Sequence, residues 1–316
     1  MSAVNAEAQA VRWIESLRMH VLDGVRSPHK PVLLLAVLEL VESGHLAENR
    51  VVFGPPLFEA FQAYWRAVAD GQPGRIEYPF WYLASEPFWS LVATPGHEAW
   101  VATRSSAPSV RRLVERVSHA RLDAGLFALL QDRHARDRLR ATIVATHFPD
   151  RADAVARVHG FEQQVVEYSN VVRGTHLTVR EPVDAPVRGA AFRRVVTEAY
   201  GYTCAVSGVR LSLAGPGTRH LVEAAHIRDW SDAHDDAATN GIALSPTYHW
   251  LFDNGLFTLD DRWHVRISPA ARDCLGTVDE LLGVHDGHAV HLPADRTLWP
   301  GQDYLAWHRS QRYVTA

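Results

Sequence analysis

A chain of 316 residues with 47% hydrophobic and 22% charged residues has the composition of a soluble globular protein, with room for two domains that each bury a core. It contains no run of about 18 uncharged apolar residues and no basic flank with an apolar stretch near its first residue, so we expect a cytoplasmic protein without a membrane partner. A net charge of −4 excludes an overall basic nucleic-acid-binding surface, and two cysteines are too few for a disulfide framework or a four-cysteine zinc site.

The first half of the chain is predicted to be an α+β domain that covers residues 1–170. Apolar residues recur at helical spacing over residues 5–22 and 30–43, and Gly44 ends the second of these helices. A strand-rich stretch follows, with strands predicted at residues 51–53, 81–84 and 89–93. Helical spacing returns at residues 108–117, 124–131, 137–147 and 152–165.

A linker and a second domain are predicted after this. Residues 171–189 lose the helical period and contain Pro182, Pro186 and Gly189, which indicates an extended connector. The second domain, residues 190–316, begins with a helix and continues with a strand, a polar loop, another helix and a hairpin. We predict these regular elements at residues 192–200, 219–227, 245–254, 257–259 and 263–267.

Residues suited to phosphodiester chemistry concentrate in the second domain. A strand carries His226, the polar loop contains Asn240, and the following helix places His249 and Asp253 four residues apart on one face. In type, order and interval, these residues and their neighbours resemble the HNH, or His-Me finger, endonuclease family over roughly residues 200–261. The resemblance implies a ββα-metal nuclease domain with one divalent metal ion, Mg²⁺ or Mn²⁺, per active site.

The roles of these residues also follow from their chemistry. Hydrolysis of a phosphodiester requires an activated water and a positive charge at the phosphate, which one histidine and one divalent ion can supply. His226 is the predicted general base, because an imidazole titrates close to neutral pH. His249 and Asp253 are predicted to share the metal. Asn240 is expected to anchor the loop by side-chain hydrogen bonds to the backbone.

One position departs from the pattern of the HNH family. Many relatives have a histidine or aspartate immediately before the catalytic histidine as a further metal ligand, but this chain has Ala225 there. Glu223 lies two residues earlier on the same strand. We therefore expect either that Glu223 serves as the replacement ligand or that water fills the position.

Two segments of the first domain resemble a second family. The run Arg26-Ser-Pro-His29-Lys30-Pro precedes an apolar helix, and the run Tyr78-Pro79-Phe-Trp-Tyr82-Leu comes later in the chain. Together they resemble the sulfur-binding domain that accompanies HNH modules in type IV restriction enzymes specific for phosphorothioated DNA. The resemblance spans residues 11–148 and implies that Tyr78 and Pro79 form an apolar cup for the sulfur, with Tyr82 at a variable position of the motif.

Such a cup suits the chemistry of a phosphorothioate. Sulfur in place of a non-bridging oxygen keeps the charge but makes one corner larger, softer and poorly hydrated, so its burial against apolar groups costs little. Arg26, His29 and Lys30 are expected to hold neighbouring phosphates or to read a base edge, and Arg104 is a further candidate for this task. An unspecialised DNA- or protein-binding module is the alternative for this domain.

The two domains together predict a modification-dependent restriction endonuclease that recognises phosphorothioated double-stranded DNA and cuts both strands nearby. An HNH centre cuts one strand at a time, so cutting a duplex suggests a homodimer or two successive engagements. Two alternatives stay open. One is an HNH endonuclease that depends on a methylated base, although no distinct base-flipping domain is evident. The other is a non-catalytic DNA-binding regulator, which Ala225 favours.

Overall fold

The computed structural model describes residues 3–22, 25–69, 71, 74–103, 107–174, 183–213, 219–272 and 278–314. The chain divides into two compact units, each with its own hydrophobic core. The first contains Met1–Gln163 and Leu213–Arg219, and the second contains Gln164–Ser212 and His220–Ala316. Within the described residues, no helix is long and apolar enough to cross a membrane.

The described part of the first unit is mainly helical, with two antiparallel strand pairs. Its helices are α1 (Ala3–Glu15), α2 (His29–Glu42), α3 (Pro55–Val68), α4 (Glu77–Tyr82), α5 (Glu98–Thr103), α6 (Val110–Arg116), α7 (Ala124–Leu129), α8 (Arg133–His147) and α9 (Ala152–Arg173). The division between the units falls inside α9. The paired strands are β1 (Val21–Leu22) with β2 (Val25–Arg26) and β3 (Trp89–Ala93) with β4 (Val117–Leu122).

Helix α2 forms the centre of the first core. Its sequence is apolar around the whole circumference, so every residue from Lys30 to Leu40 is buried. It packs against α3, α4 and α8. The first turns of α2 and α4 are thereby held in a rigid core, and these two turns carry most of the residues predicted to bind DNA.

Two strands predicted in the first domain are wrong. Residues 81–84 continue from helix α4 into a 3₁₀ turn, because Phe80, Trp81, Leu83 and Ala84 present apolar side chains to the core at helical spacing. Residues 51–53 form only an isolated bridge, from Val51 to Ala120. Helix α3 was not expected, because its prolines suggested a break in regular structure. They occupy its first turn, where a backbone N–H has no partner within the helix, so proline is tolerated there.

The described part of the second unit has its strands in short antiparallel pairs surrounded by helices. Its helices are α10 (Ala185–Ala199), α11 (Trp230–Ala233), α12 (Pro246–Asp253), α13 (Pro269–Arg272), α14 (Val278–Leu282) and α15 (Gln302–Gln311). Its antiparallel strand pairs are β7 (Glu223–His226) with β8 (Gly241–Leu244), and β9 (Phe257–Leu259) with β10 (Val265–Ile267). A further pair, β5 (Ser212–Leu213) with β6 (Arg219–His220), has one residue of each strand in either unit. Single 3₁₀ turns in the two units cover Leu83–Ser85, Pro149–Arg151, Ala238–Asn240, Gly283–His285 and Arg296–Leu298.

The connector predicted for residues 171–189 is shorter than expected. Helix α9 continues to Arg173, and α10 begins at Ala185 with Pro186 in its first turn, a position that proline favours. Residues 175–182 lie outside the described part of the chain. The second unit therefore begins at Gln164 rather than at residue 190 and includes the end of α9.

Candidate functional site

The motif residues of the second unit lie on a hairpin followed by a helix. Strand β7 ends at His226, which pairs with Gly241 of β8, and α12 packs against both strands. The imidazole of His226 is stacked on the ring of Phe192 from α10, with ring centres 3.8 Å apart and an interplanar angle of 3°. The hairpin and helix thus form the ββα arrangement that the motif implied, with His226 at the end of a strand.

Asn240 closes the loop between the two strands. Its side chain is fully buried. The Oδ1 atom accepts a hydrogen bond from the backbone N–H of Arg228 at 2.9 Å, and Nδ2 donates to the backbone carbonyls of Arg228 and Asp235 at 3.0 Å each. These are the side-chain to backbone bonds expected from the sequence, and they hold the loop that follows His226 in one conformation.

His249, Asp253 and Glu223 come together beside the hairpin. His249 Nδ1 lies 2.8 Å from Glu223 Oε2, and His249 Nε2 lies 3.4 Å from Asp253 Oδ2. Burial raises the pKa of Asp253, and the nearby Glu223 carboxylate adds to this effect. Two carboxylates and an imidazole are donor types that suit a divalent cation, but the carboxylates contact opposite ring nitrogens of His249, so the three ligand atoms do not converge on one point in this arrangement. An ion bound by one ring nitrogen of His249 would replace one of these two contacts.

The residue before His226 contributes nothing to this cluster. Ala225 is fully buried in the core, whereas the Glu223 carboxylate is half-exposed and reaches His249. Glu223 is therefore the carboxylate on β7 that lies close enough to His249 to serve as a metal ligand.

Asp236 is part of the site but was not predicted. Its carboxylate is 4% exposed. Oδ1 lies 3.2 Å from Nε2 of His226, and Oδ2 accepts hydrogen bonds from the Tyr168 hydroxyl at 3.1 Å and from Arg188 at 3.3 Å. Burial opposes ionisation of this group, but the hydrogen bonds from His226 and Tyr168 outweigh it and lower the pKa of Asp236. The only sequence signal was an aspartate pair in a polar loop.

A cleft of about 800 Å³ in the first unit collects most of the predicted DNA-binding residues. His29 and Lys30, from the first turn of α2, and Tyr78, Pro79 and Tyr82, from α4, all line it. The guanidinium of Arg75 lies 4.3 Å from the centre of the Tyr78 ring and forms a cation–π contact that was not predicted. The aromatic and proline side chains of α4 thus share one concave surface with the start of α2.

Two of the residues expected to supply positive charge in this cleft, Lys30 and His29, do not do so, whereas the exposed Arg18 also lines it. Lys30 is buried, and its ammonium group lies 2.5 Å from Glu86 Oε1 and 3.1 Å from Ser85 Oγ. Burial, with the nearby charge of Arg75, lowers the pKa of His29 to about 4. Neither Lys30 nor His29 therefore presents a free positive charge to a phosphate at neutral pH, and their contact with a phosphate or a base edge stays a prediction.

Among the described residues predicted to bind DNA, Arg26 and Tyr82 are exposed. Arg26 is exposed at the end of β2 and is not among the residues that line the cleft. Tyr82 is 47% exposed, and its hydroxyl accepts a hydrogen bond from the backbone N–H of Ala107. Arg104 lies outside the described residues.

A second cluster with metal-ligand chemistry lies in the core of the first unit. One possible ligand atom from each of Glu39, Glu42 and His159 lies within 4.8 Å of the other two. Tyr64 donates a hydrogen bond to Glu39, and the guanidinium of Arg140 lies 2.8 Å from Glu42. Because Arg140 already supplies the compensating charge, the cluster is explained as a buried ion-pair network.

Two family models match separate parts of the chain. Residues 7–164, half of the chain, match the family described as ScoMcrA-like, DNA sulfur-binding domain. Residues 204–260 match the family described as HNH endonuclease. These are the two resemblances that the motifs indicated. No protein of curated function matches the chain.

Two solved structures are similar to parts of the chain. The modification-dependent TagI restriction endonuclease is 27% identical over 41% of this chain and 40% of that chain, with a TM-score of 0.29. The sulfur-binding domain of SprMcrA, solved in complex with phosphorothioated DNA, is 21% identical over 47% of this chain and 89% of that chain, with a TM-score of 0.38. This chain therefore spans less than half the length of the first of these proteins.

Proposed function

Because the chain belongs to the family of ScoMcrA-like DNA sulfur-binding domains and also carries an HNH endonuclease domain, we propose that it binds phosphorothioated double-stranded DNA and hydrolyses phosphodiester bonds nearby. One observation carries this proposal. A cleft walled by aromatic side chains in the first unit and an imidazole–carboxylate centre on a ββα motif in the second occur in the same chain.

The composition of the cleft favours sulfur over oxygen at one corner of the phosphate. A phosphate oxygen that leaves water without a new donor loses hydrogen bonds, at a cost of about 1–3 kcal/mol. Lys30 is paired with Glu86, and His29 is uncharged at neutral pH, so neither of these two residues offers a cation to replace the lost water. Arg18 is an exposed cation that lines the same cleft. A larger and less hydrated sulfur can be buried against Tyr78 and Pro79 at little cost.

The second unit contains the groups needed for hydrolysis. Glu223, His249 and Asp253 would hold one divalent ion, Mg²⁺ or Mn²⁺, which when bound supplies positive charge at the phosphate and the leaving oxygen. His226 accepts a proton from a water molecule. The oxygen of that water forms a bond to phosphorus as the bond from phosphorus to the 3′ oxygen breaks, and the released 3′ oxygen takes a proton from solvent. Asn240 keeps the loop after His226 in place.

We further propose that two copies of the chain act together on a duplex. One centre of this kind holds one phosphodiester at a time, and the strands of a duplex run in opposite directions. A homodimer with two-fold symmetry would present one centre to each strand. Sedimentation of the protein with and without DNA measures this directly, and a protein that stays monomeric on DNA while cutting both strands would act by successive engagements.

The test compares three duplexes of one sequence: one with a single phosphorothioate, one with a methylated base and one unmodified. Each is incubated with the protein and Mg²⁺ or Mn²⁺, with and without EDTA. We expect cleavage of the phosphorothioate duplex alone and none in EDTA. Preference for the methylated duplex would indicate a reader of methylated bases. Tight binding of the phosphorothioate duplex without cleavage in either metal would indicate a regulator.

The metal site is tested separately by calorimetric titration with Mn²⁺. Replacement of Asp253 by Asn removes one carboxylate oxygen while keeping the shape of the side chain, and it should weaken Mn²⁺ binding. Replacement of Asp260 by Asn, in the turn between β9 and β10, changes a carboxylate outside the cluster and should leave Mn²⁺ binding unaltered. Equal Mn²⁺ affinity in all three proteins would remove Asp253 from the ligand set.

A further inference from the structure

We propose that Asp236 is a positioning residue, which fixes the tautomer and the orientation of His226 so that Nδ1 is the nitrogen that accepts the proton from water. The inference rests on the proposed nuclease function. It concerns a carboxylate that none of the roles described above uses. The observation behind it is the contact between Oδ1 of Asp236 and Nε2 of His226 at 3.2 Å, deep in the second unit.

The hydrogen bonds around Asp236 determine which ring nitrogen carries the proton. Its Oδ2 atom accepts from two donors, the Tyr168 hydroxyl and the Arg188 guanidinium. These contacts, with that from His226, favour the ionised carboxylate, which is an acceptor on both oxygens. Nε2 of a neutral His226 must therefore be the protonated nitrogen, because a carboxylate cannot donate to it. Nδ1 is left with a free lone pair, as a general base requires.

Two contacts together restrict the orientation of the His226 ring. The parallel ring of Phe192, 3.8 Å away, sets the plane of His226, and Asp236 sets the rotation of the ring within that plane. A base held in this way needs no reorientation before it reacts, so the entropic cost of reaching the reactive geometry is small.

The supporting residues precede the stretch that matches the HNH family. That stretch, residues 204–260, contains both His226 and Asp236, whereas Tyr168 on α9 and Arg188 and Phe192 on α10 come earlier in the chain. Arg188 is itself held 3.9 Å from the centre of the Trp230 ring by a cation–π contact. The structure thus assigns a function to the end of α9 and the start of α10 as the support of the catalytic histidine.

The first test is cleavage by the Asp236→Asn variant. An amide can donate as well as accept, so it no longer determines the tautomer of His226. With the phosphorothioate duplex and saturating Mn²⁺, we expect the rate of the cleavage step to fall by roughly 10²- to 10⁴-fold, while the affinity for the duplex stays unchanged. Asp260→Asn is the matched control, because Asp260 also pairs with one histidine and one arginine, and it should cleave at the parent rate.

A second variant makes a milder change to the same hydrogen bonds, in case Asp236→Asn does not fold. Tyr168→Phe removes one hydrogen bond to Oδ2 and leaves the contact between Asp236 and His226 in place. We expect a smaller loss of rate than in Asp236→Asn, again without loss of DNA affinity. Parent-level cleavage by a folded Asp236→Asn protein would overturn the proposal, and if that variant does not fold, a parent protein whose His226 carries its proton on Nδ1 would overturn it.

The tautomer itself is measured by ¹⁵N NMR of the histidine rings, without DNA or metal, at about pH 8.5, where a free imidazole is neutral. The signal of His226 is assigned by its loss in His226→Ala. We expect the parent to carry the proton on Nε2 and Asp236→Asn to show a mixture or the Nδ1-protonated form. A parent protein protonated on Nδ1 would refute the positioning role. This readout remains decisive if the parent cleaves no duplex, a result that counts against the nuclease proposal alone.

Discussion

The imidazole of His226 lies between the ring of Phe192 and the carboxylate of Asp236. Because its proposed role is to accept a proton from water and not to bind DNA, His226→Ala should reduce the cleavage rate by roughly 10²- to 10⁴-fold and leave DNA affinity unchanged. Cleavage assays and fluorescence anisotropy on the same duplex measure the two quantities. The matched control is His264→Ala, a second histidine paired with an aspartate. Near-parent cleavage by His226→Ala would reject His226 as the base.

Tyr78 is the side chain on which sulfur recognition is expected to depend. Truncation to alanine removes the aromatic wall of the cleft and the surface on which Arg75 rests. We expect Tyr78→Ala to weaken binding of a phosphorothioate duplex by about 1–3 kcal/mol, the scale of a lost apolar contact, with little effect on unmodified DNA. Tyr78→Phe keeps the ring and should retain the discrimination. An equal loss on both duplexes would show that the ring contacts DNA without sensing sulfur.

Lys30 is a predicted DNA contact whose ammonium group is buried in an ion pair with Glu86. Removing its ammonium group leaves Glu86 buried without a cation, and breaking a buried pair in this way costs about 3–5 kcal/mol of unfolding free energy. Lys30→Met should therefore lower the denaturation midpoint of the protein. The double variant Lys30→Met with Glu86→Gln removes both charges and should recover much of the loss. If Lys30→Met keeps parent stability and instead weakens binding of every duplex, Lys30 is a phosphate contact after all.

At the scale of elements, strand β8 and helix α10 approach each other closely at Gly241. A Cβ atom there would overlap the side chain of Val196 and would lie 3.1 Å from the Phe192 ring that stacks on His226. Gly241→Ala should therefore displace α10 from the hairpin, with a cost of about 1–3 kcal/mol in stability and a lower cleavage rate. Thermal denaturation and the cleavage assay measure both effects.

The same helix provides a matched control for this prediction. Gly189 lies on the exposed side of α10, and a Cβ atom there meets no other group within 4 Å. Gly189→Ala should leave the cleavage rate unchanged and should raise stability slightly, by up to about 1 kcal/mol, because alanine favours a helix over glycine. A Gly241→Ala protein with parent stability and rate would mean that the hairpin tolerates the extra carbon.

At the scale of the whole molecule, each unit buries a neutral histidine. Burial lowers the pKa of His29 in the first unit and of His308 in the second to about 4. The unfolded chain takes up protons on these residues below about pH 6.5, whereas the folded chain does not. The free energy of unfolding should therefore decrease as the pH falls from 6.5 towards 4, and His308 alone accounts for up to about 3 kcal/mol of that decrease.

Denaturation curves of the metal-free protein at a series of pH values measure this dependence. His308→Gln removes the titrating group from the second unit and should make the unfolding of that unit less sensitive to acid, although the lost contacts to Thr258 and Phe252 lower its stability at pH 7. A denaturation midpoint that is constant between pH 7 and pH 5 would contradict the prediction.

The sequence by itself was enough for those features that depend on short-range spacing. Local sequence spacing was enough to place His226 on a strand, Asn240 in a loop, and His249 and Asp253 on a helix. The same holds for the start of α2. Proline was the main source of local error, because it begins a helix as readily as it interrupts one.

Tertiary structure alone decided the electrostatic state of both sites. Asp236 is joined to Tyr168 and Arg188, 68 and 48 residues away in the chain, and Lys30 is joined to Glu86, 56 residues away. Periodicity reports which face of an element is buried, but it does not report which distant group packs against that face. Whether a lysine is free or paired, and which nitrogen of a histidine is protonated, depends on those distant groups, because burial makes each polar atom require a partner.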